Sequence, residues 1–123
     1  KNTRKLTFAD AGHPPALLVE NDNFTRLKVR NFVIGGDSNY KFNSKSIVIK
    51  PGSDLYVYSD GAYEIEKSNG EMMQIEDVID FLENHRNHDP DSHELDDLYS
   101  YLQEVKGNSK LDDDFSILKV TFI

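Results

Sequence analysis

The segment YVYSDGAYE, residues 56–64, places an acid directly after an apolar strand-like stretch. A strand is a rigid support for the carboxylate of Asp60, and Gly61 lets the backbone turn so that its carbonyl can approach a bound group. Hard oxygen ligands of this kind suit Mg²⁺ or Mn²⁺. Taken alone, however, the spacing is more typical of an ordinary Asp-Gly turn between a strand and a loop.

A second group of acids, Asp112-Asp113-Asp114, stands just before the last apolar segment. Three adjacent carboxylates repel one another, and a bound cation would relieve that cost. The alternative is a solvated acidic turn, which a short run of like charges more often indicates.

Histidines occur in two settings. His13 lies in Ala11-Gly12-His13-Pro14-Pro15, where its imidazole could contact a ligand or, more commonly, bond the nearby backbone. His85, His88 and His93 are close enough in sequence to suggest zinc, but no Cys accompanies them and the surrounding residues are polar. The pattern therefore disfavours a metal site at these three residues.

Six segments have the alternating, β-branched or aromatic composition of strands. Turn residues separate several of them, most clearly Asn21-Asp22-Asn23 and Pro51-Gly52. The predicted strands are 4–10, 16–20, 24–29, 46–50, 54–59 and 115–122.

Two helices are predicted between the fifth and sixth strands. The second should begin at Asp89 as the cap with Pro90 in the first helical position, and end at Gly107-Asn108. We expect both apolar stripes to pack on the sheet, with Ile75, Val78, Ile79, Leu82, Leu98 and Leu102 mostly buried. This order predicts a layered α+β fold with a mostly antiparallel sheet, and a single domain over 1–123. The stripes are Ile75, Val78, Ile79 and Leu82 in the first helix, and Leu95, Leu98, Tyr99, Leu102 and Val105 in the second.

The net charge of −8, from 14 basic and 22 acidic residues, excludes several classes of partner. Nucleic acid and anionic lipid both select basic surfaces, so we expect neither. A phosphorylated ligand would also be repelled unless a cation stood between it and the protein. The absence of Cys excludes disulfides, thiol catalysis and zinc-thiolate sites.

Three segments occur in an order that resembles the later motifs of the SpoIIE/RsbU-type serine/threonine phosphatases. They are FADAGHPPALLV, PGSDLYVYSDGAYE and LDDDFSILKV, and together they cover almost the whole chain. Ser59-Asp60-Gly61, Glu64 and residues 113–116 match the family's pattern. Asp10 stands where Asn is common, and Ser53 is an insertion. The family belongs to the protein phosphatase 2C-like, metal-dependent superfamily.

This resemblance implies a β-sandwich flanked by helices, with two Mn²⁺ or Mg²⁺ ions in a cleft at its end. It also implies hydrolysis of phosphoserine and phosphothreonine proteins, typically anti-anti-sigma factors, by a metal-held water and with no nucleophilic side chain. The carboxylates of Asp60 and Asp113 should lie within about 6–7 Å of each other to share the cations. The implied metal ligands are Asp60, Gly61 and Asp113, with Asp114, His13 and Glu64 in supporting positions.

The family's early motifs, an Asp on an early strand and Asp-x-x-Gly-His-Gly, are absent and would lie before Lys1. We therefore expect the chain to be the C-terminal portion of a longer domain, and to hydrolyse phosphate esters poorly or not at all by itself. Two alternatives stay open: a non-catalytic regulatory module of the same fold, and a plain acidic interaction domain. We expect a cytoplasmic segment without membrane contact, in a parent protein that carries an upstream sensor or receiver domain.

Overall fold

The computed structural model describes residues 4–86, 89 and 92–123. Its contacts divide the chain into two compact units, of which the first comprises residues 1–57 and 118–123 and the second residues 58–117. The prediction that 1–123 belong to a single domain stays a prediction.

Six strands build the first unit, and they form two sheets. One sheet pairs β1 with β4, and the other has the order β3-β2-β5-β6. The recorded pairings of β1 with β4, of β2 with β3 and of β2 with β5 are antiparallel, as predicted. The strands are β1 (Lys5–Phe8), β2 (Ala16–Glu20), β3 (Asn23–Leu27), β4 (Lys45–Val48), β5 (Ser53–Tyr58) and β6 (Ile117–Phe122).

The core of the first unit lies between these two sheets, which confirms the predicted sandwich of antiparallel strands. Its buried members are Leu18, Leu27 and Ile49, and side chains of β1, β4, β5 and β6 pack against them. Leu17, Leu18 and Val19 are buried in succession, so side chains on both faces of β2 are covered.

Two turns set the course of the chain through the sandwich. Asn21 and Asp22 have φ of 49° and 62°, the left-handed conformation of a two-residue hairpin, and they join β2 to β3. Pro51-Gly52, where Gly52 has φ of 77°, leads instead from β4 in one sheet to β5 in the other. Both predicted turns are confirmed.

A buried carboxylate ties β6 to β5. Asp54 is 2% exposed, and its Oδ1 accepts a hydrogen bond of 2.7 Å from the Thr121 hydroxyl. Lys119 Nζ lies 3.7 Å from Asp54 Oδ2. This pairing matters for function because the residues that follow β5 and those that precede β6 carry the candidate acids.

Two helices dominate the second unit: α1 (Ile75–His85) and α2 (Glu94–Val105), which contact each other. Val78, Leu82, Leu98 and Leu102 are buried as predicted, while Ile75 and Ile79 are half-buried and Tyr99 is 38% exposed. That the stripes face the sheet stays a prediction. In the residues that the structure describes, no helix combines the length and hydropathy that a membrane span requires.

The predicted start of the second helix is wrong. The helix begins at Glu94, and the Ser92 N–H donates to the Asp89 carbonyl at 3.0 Å. An Asp-Pro pair is typical of turns as well as of helix starts, so it is an ambiguous signal; Pro90 lies outside the described residues. The predicted end is confirmed, since Gly107 and Asn108 adopt φ of 86° and 58° directly after the helix.

Candidate metal centre

Asp60 lies in a short 3₁₀ turn, Asp60–Ala62, that follows β5 in the chain. The turn forms because the Asp60 carbonyl accepts the N–H groups of Tyr63 and Glu64, at 3.0 and 2.9 Å. The Asp60 side chain is exposed, and its Oδ1 accepts the Gly61 N–H at 2.9 Å. The carboxylate is thereby oriented by its own turn while Oδ2 stays available.

Asp113 repeats this arrangement in the loop before β6. Its Oδ1 accepts the N–H of the next residue, Asp114, at 2.8 Å, and both side chains are exposed. Two loops of the same unit thus each present a carboxylate with one oxygen engaged by the following N–H.

Ser59 joins the two loops. Its hydroxyl donates to the Asp114 carbonyl at 3.0 Å and accepts the Ser116 N–H at 3.1 Å, and its own N–H donates to the Ser116 carbonyl at 2.9 Å. Ser59 matches the family pattern, but its joining role could not be read from the sequence, because its partners lie more than fifty positions further along the chain.

Gly61 brings the loops into contact. A Cβ added to Gly61 would lie 2.4 Å from the Asp114 carbonyl oxygen and 3.5 Å from the Asp113 Cβ. Side-chain carbon atoms do not approach carbonyl oxygens so closely, so this packing requires glycine. The loops that carry Asp60 and Asp113 therefore contact each other. The separation of the two carboxylates stays a prediction.

The charges around the two loops are unbalanced. Asp112 pairs with Lys106, but in the described part of the chain no ion pair involves Asp60, Asp113 or Asp114. Equally, the described residues contain no group of three or more His, Asp or Glu side chains arranged to hold a metal ion. The two loops thus concentrate negative charge that a bound cation would offset.

His13 and Glu64, two of the residues predicted to support the site, make hydrogen bonds with the backbone. In the first unit, the exposed His13 directs Nδ1–H to the Pro14 carbonyl at 2.8 Å, which is the backbone contact anticipated as the common alternative. Glu64, in the second unit, is exposed and is tied to Asp60 through its backbone N–H. Within the described part of the second unit, the Glu64 side chain makes no contact with the carboxylates of Asp60 or Asp113.

The histidines around the helices have local partners. His85 donates from Nδ1 to the Phe81 carbonyl at 2.9 Å and stacks on the Phe81 ring, and His93 lies 3.4 Å from an Asp96 oxygen. His88 lies outside the described residues. That zinc is disfavoured at these three residues stays a prediction.

A sequence profile of the family described as stage II sporulation protein E, SpoIIE, matches residues 1–123. This chain belongs to the SpoIIE family. No curated protein matches it significantly. Solved structures do, and they share its fold.

The SiaA-PP2C domain of Pseudomonas aeruginosa is 22% identical with a TM-score of 0.82, over 98% of this chain and 48% of that one. The phosphatase domain of the cell fate determinant SpoIIE from Bacillus subtilis, presoaked with Mn, is 17% identical with a TM-score of 0.72, over 98% of this chain and 52% of that one. The RsbU and RsbW domains of a Mycobacterium tuberculosis protein are 21% identical with a TM-score of 0.70, over 96% of this chain and 33% of that one.

This SpoIIE-family chain spans about half the length of the first two of those structures. The predicted resemblance and fold class, an α+β protein phosphatase 2C-like fold represented in part, are confirmed.

Proposed function

We propose that this chain supplies part of the metal centre of a protein serine/threonine phosphatase. The observation that carries the proposal is the joining of two acid-bearing loops by Ser59 and the close approach at Gly61. Loops that fold against each other in this way are what a shared cation cluster needs. Membership of a family of phosphatase domains supports the same reaction class.

Two Mn²⁺ or Mg²⁺ ions are the proposed cofactors, and the donor chemistry fits them. Both ions prefer carboxylate, carbonyl and water oxygens. Asp60, Asp113 and the Gly61 carbonyl would hold metal, and Asp114 would orient the loop. When bound, the ions would lower the pKa of an attacking water and offset the negative charge of the phosphate, which a chain of net charge −8 would otherwise repel.

His13 and Glu64 are assigned supporting roles only. The backbone N–H of Glu64 is bonded to the Asp60 carbonyl, so Glu64 helps to fix the turn that carries the ligand. His13 lines an apolar cavity of about 610 Å³ in the first unit.

The proposed substrate is a phosphoserine or phosphothreonine protein of the anti-anti-sigma kind. The RsbU and RsbW domains and the cell fate determinant named among the solved structures support a setting in bacterial regulation. We place the segment in the cytoplasm, within a parent protein that carries an upstream sensor or receiver domain and could be membrane-anchored through it.

A non-catalytic regulatory module is the second candidate. The observation that favours it is the lack, among the described residues, of any group of three metal-ligating side chains. Under our proposal the same observation means that the remaining donors come from the part of the domain expected before Lys1. The chain alone should then be nearly inactive.

A phosphatase assay with p-nitrophenyl phosphate and added Mn²⁺ tests the proposal. The chain is compared with a longer protein that includes the segment expected before Lys1, and we expect turnover only from the longer one. In that protein Asp60→Asn or Asp113→Asn should lower the rate at least ~100-fold, since misplaced reacting groups cost about this much. Asp80→Asn, an exposed carboxylate on α1, is the matched control and should leave the rate unchanged.

Calorimetric titration with Mn²⁺ separates the two candidates. Equal turnover from the chain alone, abolished by Asp60→Asn, would show that the site is complete without preceding residues. A longer protein that neither binds Mn²⁺ nor turns over would instead establish the non-catalytic module.

A further inference from the structure

Residues 31–43 form a loop in the first unit that is closed at its base by one side chain. Asn31 Nδ2 donates to the Asn43 carbonyl at 2.9 Å, and Asn31 Oδ1 accepts the Asn43 N–H at 2.7 Å. The same amide also donates to the Asp10 carbonyl at 2.8 Å. A compact surface loop whose ends meet is an Ω-loop, and such loops frequently serve a function.

The 31–43 loop is packed by its own side chains. The Tyr40 ring lies 5.9 Å from that of Phe32 and 5.0 Å from that of Phe42. Gly36 lies so close to Phe32 that an added Cβ would be 2.5 Å from its ring. These contacts define the loop as an ordered element rather than a slack connection.

Despite this packing, the loop exposes three consecutive apolar side chains. Phe32 is 55% exposed, Val33 60% and Ile34 76%. Single exposed apolar residues are ordinary, whereas a contiguous group marks an interaction site. Burying this surface against a partner would stabilise a complex.

The charge of this region is opposite to that of the whole protein. Residues 26–45 contain five basic residues and one acidic residue in a chain of net charge −8. Lys28 and Arg30 are both exposed and flank the buried Val29. Together with Phe32, Tyr40 and one acid, Asp10, they line a groove of about 490 Å³.

We propose that the 31–43 loop with Lys28 and Arg30 is a docking surface for a segment of a partner protein that carries acidic residues beside an apolar side chain. The cations match the acids, and the exposed Val33 and Ile34 match the apolar group. A polyanion such as nucleic acid fits poorly, because two cations in a short groove give few phosphate contacts and the rest of the chain repels it. The inference goes beyond the proposed phosphatase, because it uses neither Asp60 nor Asp113 and requires no phosphate.

Fluorescence anisotropy with two labelled peptides tests the proposal on the chain itself. One peptide consists of Glu, Asp and Leu, and its control has Gln and Asn in place of the acids. We expect the acidic peptide to bind more tightly, and added NaCl to weaken it. The pair Lys28→Glu and Arg30→Glu should lower its affinity roughly tenfold, a change of about 1.4 kcal/mol.

Matched controls isolate the surface. Lys5→Glu with Lys110→Glu makes the same change of net charge elsewhere on exposed side chains, and should leave binding intact. Ile34→Ser should weaken binding, whereas Val48→Ser, at a residue 71% exposed on β4, should not. Circular dichroism melting checks that each variant remains folded.

Three results would overturn the proposal. The first is equal binding of the two peptides, or an equal loss in the Lys5/Lys110 control. The second is a dimer in sedimentation that Ile34→Ser dissociates, since the occupant would then be a second copy of this chain. The third is tighter binding to duplex DNA or to phosphatidylserine vesicles, lost in the Lys28/Arg30 variant.

Discussion

Gly61 contributes to the candidate metal centre by lacking a side chain. The Asp114 carbonyl occupies the position that a Cβ would need. The two acid-bearing loops can therefore approach this closely only if residue 61 is glycine. Ser59 then fixes their relative position through hydrogen bonds to Asp114 and Ser116. The placement of Asp60 and Asp113 thus depends on two neighbours that carry no charge.

Replacing Gly61 with Ala should displace the loop of Asp113 and destabilise the chain by about 1–3 kcal/mol, the usual cost of overpacking. Amide NMR spectra of the chain are the measurement, with changes expected at residues 113–116. Gly70→Ala is the control, because that residue has no neighbour within 4 Å although its φ is 85°. It should cost about 1–2 kcal/mol from backbone strain alone. Unchanged amide chemical shifts at residues 113–116 in Gly61→Ala would contradict the close approach of Gly61 to the Asp114 carbonyl.

At the residue scale, the acids could be predicted from the sequence, but the hydrogen bonds that hold their loops together could not. Asp60, Asp113 and Gly61 were selectable because each lies beside a strand end and in a recognisable motif. The joining role of Ser59 could not be selected, since a hydroxyl's partners are set by which strands become neighbours. The roles of all six candidate site residues, and the separation of the two carboxylates, stay predictions.

At the scale of elements, α1 has the better defined start of the two helices. Asp77 Oδ2 accepts the Gln74 N–H at 2.8 Å, which completes a capping box, and Asp77 Oδ1 lies 3.3 Å from Lys67 Nζ. The hydrogen bond from the Gln74 backbone, and then the Lys67 ammonium, hold the pKa of Asp77 below its ordinary value of 3.8. The carboxylate is therefore more stable when charged in the folded chain than in the unfolded one.

This pKa shift predicts a pH dependence of stability. Because the folded pKa is depressed, the contribution of Asp77 is present above the unfolded pKa of about 4 and is lost as the pH falls through the folded value. Asp77→Asn should therefore lower the free energy of unfolding at about pH 6 by about 0.3–1.5 kcal/mol, and by less at about pH 3. Urea denaturation at the two pH values measures the difference.

Glu83→Gln is the control for that experiment, since Glu83 is an exposed acid on the same helix. It should reproduce the pH dependence of the unmodified chain. If Asp77→Asn lowered the free energy of unfolding as much at about pH 3 as at about pH 6, the cap would stabilise the helix without the charge of Asp77.

Most elements were predictable because their signals are local. Alternating apolar residues identified the strands, and Asn21-Asp22 and Pro51-Gly52 identified two turns. Sheet membership was not predictable, because Pro51-Gly52 could as well have joined two strands of one sheet as strands of two. The start of α2 was missed because an Asp-Pro pair is typical of turns as well as of helix starts. The 3₁₀ turn at Asp60 was missed because three residues are too few to show a periodic pattern.

At the scale of the whole molecule, the net charge conceals an uneven distribution. The first unit carries ten basic and five acidic residues, and the second carries four basic and seventeen acidic. The second unit alone thus has a formal charge of −13. Self-repulsion of this size opposes the compact state.

Added NaCl should therefore raise the melting temperature of the chain. The Debye length falls from about 30 Å at 0.01 M to about 8 Å at 0.15 M, which screens repulsion between exposed acids. A gain of about 1 kcal/mol would appear as a rise of roughly 4 °C in calorimetry. A fall with salt would instead mean that ion pairs such as Lys106–Asp112 and Lys119–Asp54 outweigh the repulsion.

The pairing of β6 with β5 has a consequence for the order in which the protein can form on the ribosome. The first unit is discontinuous, since its strand β6 is synthesised only after the whole of residues 58–117. Until β6 emerges, Asp54 lacks the Thr121 hydroxyl and β5 presents an open edge. The nascent sandwich is thus exposed to misassembly at β5 while the intervening unit is translated, until β6 pairs with that edge.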